Sequence, residues 1–483
     1  MSGQVELVRL NKSRAVSTLP QGYGLIALTV LAVTVAASSL AVAGRLDSAY
    51  GIAIPAVACL AGFLGALAPR VVLTLLFATA PLLWALGDAS IFESEHAHVN
   101  LPMFVGFVVV VAFCHLLLVK DPDPGIDLIR KLILGMGLAC FPAIFSAQNF
   151  FTGAGAYLRI MSPYIVMFAT LRHVRHKADV LHFAKSMAFA LLAVAIVLVI
   201  AYERSELWVD FGGYTRLGAL YFQTQGLGML LSVMVSVVML NYLLTRNKGY
   251  LLLLSFPLVA LFLTYVRTAW VGGIVLLVLL TFQIKKSYGR RLLLVGLILG
   301  PLFLSAVWQG ILRYDTAVDS PQVADKILSG RLGVDAIAIE RYLEAPLYNE
   351  IFGIGFFRAK EATGLVYGEE FMIHDDYLAL FIEAGVFALP FFLAILIALL
   401  RRSRHGKRRA LERFSYDMYG AASILIVAVM IMGIAGAFYT EVLSNFYIYG
   451  IMGLMLSQSR LLDPWYRNNE GAGLRRQTLN QVQ

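Results

Sequence analysis

The chain has 483 residues, of which 59% are hydrophobic and only 14% charged, with a mean hydropathy of +0.76. A soluble domain carries about 25% charged residues, so a water-soluble enzyme, a disordered protein and a secreted disulfide scaffold are all excluded. The net charge of +9 excludes little by itself, but in so apolar a chain it points to basic loops on one side of a membrane rather than to nucleic acid.

A bilayer core of about 30 Å takes about 20 apolar residues per helix. Apolar runs lie at approximately 23–43, 49–67, 71–87, 101–119, 132–147, 157–171, 183–201, 219–244, 249–265, 268–283, 292–308, 377–400, 418–437 and 443–459. The sixth and tenth are short. The expected architecture is all-α: a polytopic integral membrane protein of about 12–14 transmembrane helices with one large extracytoplasmic loop containing an amphipathic helix. The first run ends in Ala41-Val42-Ala43, which imitates a cleavage site. Its length and the many runs after it favour an uncleaved helix.

Placing the N-terminus in the cytoplasm puts 28 of the 39 Lys and Arg on that side and 11 on the other. This bias is the positive-inside pattern, and it makes both termini cytoplasmic. The expected organisation is a cytoplasmic segment 1–22, a bundle of about eleven helices over 23–308, a loop domain 309–372, C-terminal helices 373–459 and a cytoplasmic tail 460–483. The tail after Pro464 is polar and reads as disordered. Cys59, Cys114 and Cys140 sit in apolar runs and form no paired framework.

A loop this long is usually functional. Residues 331–345 read RLGVDAIAIERYLEA, with Leu332, Ala336, Ile339 and Leu343 on one helical face. Ser329 is the expected N-cap, and Pro346 stops the helix. Such a helix lies on the membrane surface or roofs a cavity.

Three outer arginines carry the most information. Arg216 stands just before or within the eighth run, in TRLGALYFQTQGLG. Arg267 stands in a tight turn between the ninth and tenth, and Arg331 opens the loop helix. Guanidinium is the preferred group for bidentate phosphate contacts, although an interfacial arginine also commonly snorkels to lipid headgroups. The loop contains ten acids and six bases, so it offers no general basic funnel and only local clustering can bind an anion.

A second constellation, His374-Asp375-Asp376-Tyr377, leads into the twelfth run. Histidine titrates near neutrality and serves as a general base. The adjacent acids either orient it, hold a cation or simply form a polar helix cap. Two successive acids point about 100° apart on a helix, a poor metal pair. Glu383, two turns further on, is costly in an apolar setting without a partner. Gly353-Ile354-Gly355 lacks the strand and helix of a dinucleotide site and reads as a turn or a close backbone approach.

Taken in order over about residues 210–400, these segments resemble the O-antigen ligase / Wzy polysaccharide polymerase family. The resemblance rests on Arg216 to Gly226, the turn Val266-Arg267-Thr268-Ala269-Trp270, the loop helix at Arg331 with Pro346 and Gly353 to Gly355, and His374 to Leu378 followed by Glu383 and Gly385. The sequence departs from the family pattern near Gln223 and Gln225, where Pro-Asn is usual, and at Val266, where Ser is usual.

The resemblance implies a bacterial inner-membrane glycosyltransferase of the GT-C type that uses a polyprenyl-diphosphate-linked oligosaccharide on the periplasmic face. An acceptor hydroxyl attacks the anomeric carbon and the lipid diphosphate leaves. Arg216, Arg267 and Arg331 are implied at the diphosphate, and His374 with Arg267 and Arg331 at the reacting atoms. Asp375, Asp376, Tyr377 and Glu383 support them. The family implies metal-independent catalysis with no cofactor. The implied partners are the lipid-linked glycan, a glycan or lipid-core acceptor, membrane lipids and other polysaccharide assembly proteins, with no nucleic acid. His-Asp-Asp-Tyr-Leu and Phe-Gly-Ile-Gly-Phe favour a polymerase of exopolysaccharide or O-antigen repeats. Transfer to a lipid A-core acceptor is the alternative within the family. A lipid-linked oligosaccharide transporter is the alternative of another class, although the paired repeats and midplane charges of transporters are not evident.

Overall fold

The computed structural model describes residues 48–85, 90–94, 97–174, 177–204, 207–211, 214–217, 224–264, 266, 269–270, 272–277, 331–367, 373, 375–410, 413–435 and 442–457. The runs at 23–43 and 292–308, Ser329 and both terminal segments lie outside them.

In chain order the elements are α1 (Ser48–Leu67), α2 (Pro69–Ala85), β1 (Ser90–Ser94), β2 (Ala97–Asn100), α3 (Leu101–Leu118), α4 (Pro124–Cys140), α5 (Ala143–Ser146), α6 (Phe150–His173) and α7 (Lys177–Glu203). They continue with β3 (Trp208–Phe211), β4 (Tyr214–Leu217), α8 (Thr224–Thr245), α9 (Gly249–Leu253) and α10 (Ser255–Leu263). The loop domain supplies α11 (Arg331–Leu343), α12 (Leu347–Phe352) and α13 (Arg358–Tyr367). The chain then forms α14 (Asp376–Ala384), α15 (Ala388–Arg409), α16 (Arg413–Ala435) and α17 (Val442–Leu456).

Among the described residues, five helical segments are long and apolar enough to cross a membrane: Pro124–Ser146, Phe150–His173, Lys177–Glu203, Gly226–Thr245 and Phe414–Ile431. The pair α1–α2, bent by 111°, makes a sixth if counted as one broken span. The protein is a helical, polytopic membrane protein. Its only strands among the described residues form two short antiparallel hairpins, β1–β2 and β3–β4.

The helix starts explain where apolar runs misjudge the ends. The run at 132–147 begins eight residues earlier, at Pro124. The carboxylate of Asp123 caps that end by accepting from the N–H groups of Gly125 (2.8 Å) and Ile126 (3.3 Å). The first two turns carry Asp127, Arg130 and Lys131, so hydropathy alone does not count them. The short run at 157–171 is a 24-residue helix that starts at the Asn149 cap, whose side chain accepts from Thr152 N–H at 2.8 Å.

Helices α6 and α8 form the enclosed centre. α6 packs against α3 and α17, and α8 against α7, α10 and α17. Polar side chains staple the apolar contacts: Tyr447 donates to Phe77 O (2.7 Å), Asn241 to Ala184 O (2.7 Å) and Ser232 to Ala269 O (2.6 Å).

One end of the bundle collects ion pairs. They are Arg70–Asp179 (3.2 Å), Arg172–Asp121 (3.8 Å), Arg402–Asp123 (2.5 Å), Arg130–Asp127 (2.8 Å), Lys131–Asp127 (3.1 Å) and Arg246–Asp417 (2.9 Å). Every basic partner here belongs to the set that the positive-inside pattern groups on one side. Burial, which alone would raise the carboxyl of Asp123, is outweighed by the hydrogen bonds and charge of Arg402 and by the Gly125 and Ile126 N–H groups, so its pKa falls below the ordinary value.

Candidate functional site

The opposite end of the bundle carries the loop domain, both hairpins and the start of α14. Two expectations change there and a third is narrowed. The run at 377–400 is not one helix: α14 stops at Ala384, and α15 starts at Ala388. Among the described residues the loop contains three helices, where one was expected. Arg216 lies in strand β4, paired with Val209, ahead of α8 and not within a helix. Sequential Thr215, Arg216 and Leu217 have no helical period to betray that hairpin.

Backbone contact causes the break between α14 and α15. Ile354 N–H donates to Ile382 O (3.0 Å), Gly355 N–H to Glu383 O (3.2 Å) and Val386 N–H to Ile351 O (3.2 Å). Gly353 (φ 86°) and Gly385 (φ 88°) occupy the left-handed half of backbone space. A Cβ on either would strike the other segment's backbone, Glu383 O from Gly353 and Ile351 O from Gly385. Gly355 (φ 103°) faces Ser146 and Ala147 as closely, and Arg358 Nε donates to Ser146 O at 3.4 Å. The glycine pair read from sequence as a close approach is therefore a clamp that joins the loop domain to α5 and to the α14–α15 break.

Helix α11 sits on α13 and α14. Its inward face carries buried Val334 and, against the small core of Ile354, Ala359, Ile373, Ala379 and Ile382, Ala338 and Tyr342. The apolar line expected from Ala336, Ile339 and Leu343 faces outward, with Leu343 at 69% exposure. It continues through Leu347 and Tyr348. The Tyr342 hydroxyl donates to Glu350 O (2.6 Å), and burial together with nearby Glu350 raises its pKa.

The acids around α14 have divided tasks. Asp375 is the helix cap: its Oδ1 accepts from Tyr377 and Leu378 N–H, both at 2.9 Å. Asp376 is 3% exposed and borders a cavity of about 20 Å³ with Tyr164, Tyr449 and Asn445, which suffices for one water. The two tyrosine hydroxyls are 3.2 Å apart. Tyr377 donates to Met430 O at 2.7 Å, and Glu383 is buried beside the glycine clamp. Intramembrane tyrosines were the available signal for the cavity, but no sequence spacing joins positions 164 and 449.

Arg267 and His374 lie outside the described residues, and of Arg331 the structure describes the backbone at the start of α11. Their flanks are firmly held. Trp270 N–H donates to Val266 O (3.0 Å), its indole to Leu261 O (2.7 Å), and its ring stacks on Phe262. Ile373 is buried and Asp375 caps. Strand β4 touches α10, the helix leading to Arg267, and α11 touches α14, the helix following His374. Among the described residues no group of three His, Cys, Asp or Glu is placed to hold a metal.

A protein-family model described as O-Antigen ligase matches residues 250–393. Over those residues the chain is similar to the O-antigen ligase family. The O-antigen ligase match is under a third of the chain, running from α9 through the loop domain into α15. It contains Arg267, Arg331, His374, Asp375, Asp376, Tyr377 and Glu383, while Arg216 falls before it. No curated protein matches the chain significantly. The family match, together with the membrane-helical fold, supports a membrane glycan-processing enzyme.

Proposed function

We propose that the protein is a glycosyltransferase that extends glycans from a polyprenyl-diphosphate-linked donor at the end of the bundle carrying the loop domain. The observation that carries the reading is the pairing of four chain segments at that end: β4 with α10, and α11 with α14. These segments contain or directly flank Arg216, Arg267, Arg331 and His374.

The roles follow from the chemistry. The acceptor oxygen bonds to the anomeric carbon as the bond to the lipid diphosphate breaks. Arg216, Arg267 and Arg331 neutralise the charge that develops on the departing diphosphate. His374 takes the acceptor hydroxyl proton. Asp375 sets the start of α14, and Asp376, Tyr377 and Glu383 fix how that helix sits in the bundle. The end carrying the ion pairs is the cytoplasmic one, so the reaction takes place on the periplasmic side of the inner membrane.

Polymerisation of repeat units is the leading reaction. The description of the matched family favours a second reading, transfer to a lipid-core acceptor. Purified protein incubated in detergent with lipid-linked oligosaccharide decides between them: elongation without a lipid core supports polymerase, and product only with lipid core supports ligase. Arg267→Ala and His374→Ala are expected to abolish product while the protein still inserts. Normal product from both variants overturns the site, and no product under either acceptor condition, with glycan movement across vesicles instead, overturns the transferase reading.

A further inference from the structure

Helix α15 leaves the bundle at the end carrying the ion pairs. Its last nine residues, Arg401 to Arg409, contain six Lys and Arg and no acid. The helix sorts these charges by face. Arg402 turns inward and donates to Asp123 Oδ1 (3.1 Å) and Oδ2 (2.5 Å). Ser403 donates to Tyr419 O (2.6 Å) and lies 2.7 Å from Ser423 Oγ. Gly406 lets the Tyr419 ring come so close that a Cβ would strike it. Lys407 rests its ammonium 4.6 Å from the Tyr416 ring centre.

Those contacts lock the rotation of α15, and the lock fixes what faces out. Arg401, Arg404 and Arg408 are all exposed, at spacings of three and four residues, and none has an ion-pair partner among the described residues. At 3.6 residues per turn they fall within an arc of about 60°. Ile397, one turn earlier, is on the same line and is 42% exposed. The outward stripe therefore passes from an exposed apolar residue directly into three arginines.

We propose that Arg401, Arg404 and Arg408 form a binding stripe for anionic phospholipid headgroups. The stripe rises about 10 Å, and a headgroup layer is about 5–7 Å deep on each side of the bilayer core. The first guanidinium meets phosphate at the hydrocarbon edge, and the others meet it from the aqueous side. Guanidinium suits bidentate phosphate contacts, and its aliphatic stem lies along the apolar surface beneath. Continuity with Ile397 selects a lipid over a soluble polyanion, which would have no reason to begin at the hydrocarbon edge. This site is independent of the glycan chemistry at the other end.

Each basic residue at an anionic surface contributes roughly a fivefold gain in binding, so the three together give about a hundredfold. The test uses the full chain in phosphatidylcholine nanodiscs, titrated with phosphatidylglycerol, with retained lipid counted by native mass spectrometry. The wild type is expected to enrich phosphatidylglycerol. The triple variant R401Q/R404Q/R408Q is expected to lose about a hundredfold in that preference, and R401K/R404K/R408K to keep most of it. Unchanged enrichment in the glutamine variant overturns the proposal. So does a thermal stabilisation by phosphatidylglycerol that inorganic phosphate reproduces, because the stripe would then be a free-anion site. If the glutamine variant is poorly folded, mixing wild type with increasing salt replaces it: enrichment that persists undiminished in high salt also overturns the proposal.

Discussion

Gly385→Ala tests the clamp that ends α14 and holds the loop domain over the candidate site. At φ 88° and ψ 173° the residue occupies backbone space held almost only by glycine, where a side chain costs about 1–3 kcal/mol. The new Cβ would also meet Ile351 O, Phe352 C and Gly353 N. All three are backbone atoms, so no rotamer change relieves the contact. Relief requires the two segments to part, breaking the hydrogen bonds Ile354–Ile382 (3.0 Å), Gly355–Glu383 (3.2 Å) and Val386–Ile351 (3.2 Å). Each contributes about 0.5–1.5 kcal/mol net. Strain and lost bonds sum to about 3–7 kcal/mol, which favours an open clamp by at least about a hundredfold. Hydrogen-exchange mass spectrometry reads this directly on peptides that cover 351–358 and 381–387, where exchange is expected to accelerate by two orders of magnitude or more. Transfer activity is expected to fall in parallel while membrane insertion is retained. Gly106→Ala is the control: its Cβ would find its nearest neighbours, Leu158 and Ser162, at an ordinary 3.7 Å. Wild-type exchange and full activity in Gly385→Ala would refute the clamp.

Three further outcomes follow from named contacts. The carboxyl of Asp123 is lowered in the folded state, so its pairing with Arg402 stabilises the fold fully above the ordinary carboxylate value of about 4 and is lost as pH falls through the lower folded value. Asp123→Asn is expected to lower stability by about 3 kcal/mol near neutrality and to flatten the acid limb of the thermal-melt profile against pH; a profile that superimposes on the wild type contradicts this. Tyr377→Phe removes the donor to Met430 O and is expected to cost about 1 kcal/mol by thermal melting, without blocking insertion. The hydroxyl of Tyr342 has a raised pKa, so its bond to Glu350 O stabilises the loop domain below about pH 10 and is lost as pH rises through the higher folded value. Tyr342→Phe should remove that alkaline step from a fluorescence titration of loop unfolding.

The membrane class was legible because hydropathy acts residue by residue along the chain, and the basic residues that the positive-inside pattern groups together recur in the ion pairs at one end of the bundle. The same locality misplaced α4, whose first two turns carry Asp127, Arg130 and Lys131, and α6, whose first turns are interrupted by Thr152, Gly153 and Gly155. Side-chain capping by Asp123 and Asn149, rather than hydropathy, sets where those helices begin. Among the site residues, the sequence left Asp375 open between orienting His374, holding a cation and capping a helix, and its bonds to Tyr377 and Leu378 identify a cap.

What the amino-acid sequence determined alone is that the chain is a polytopic helical membrane protein, since that depends on transfer energies of individual residues. Only tertiary structure decided that α14 stops at Gly385, that Asp376 meets Tyr164 and Tyr449, and that the outer line of α11 is the exposed one. Each of these depends on the close approach of segments distant in sequence. No pattern within one segment encodes where another segment's backbone will lie.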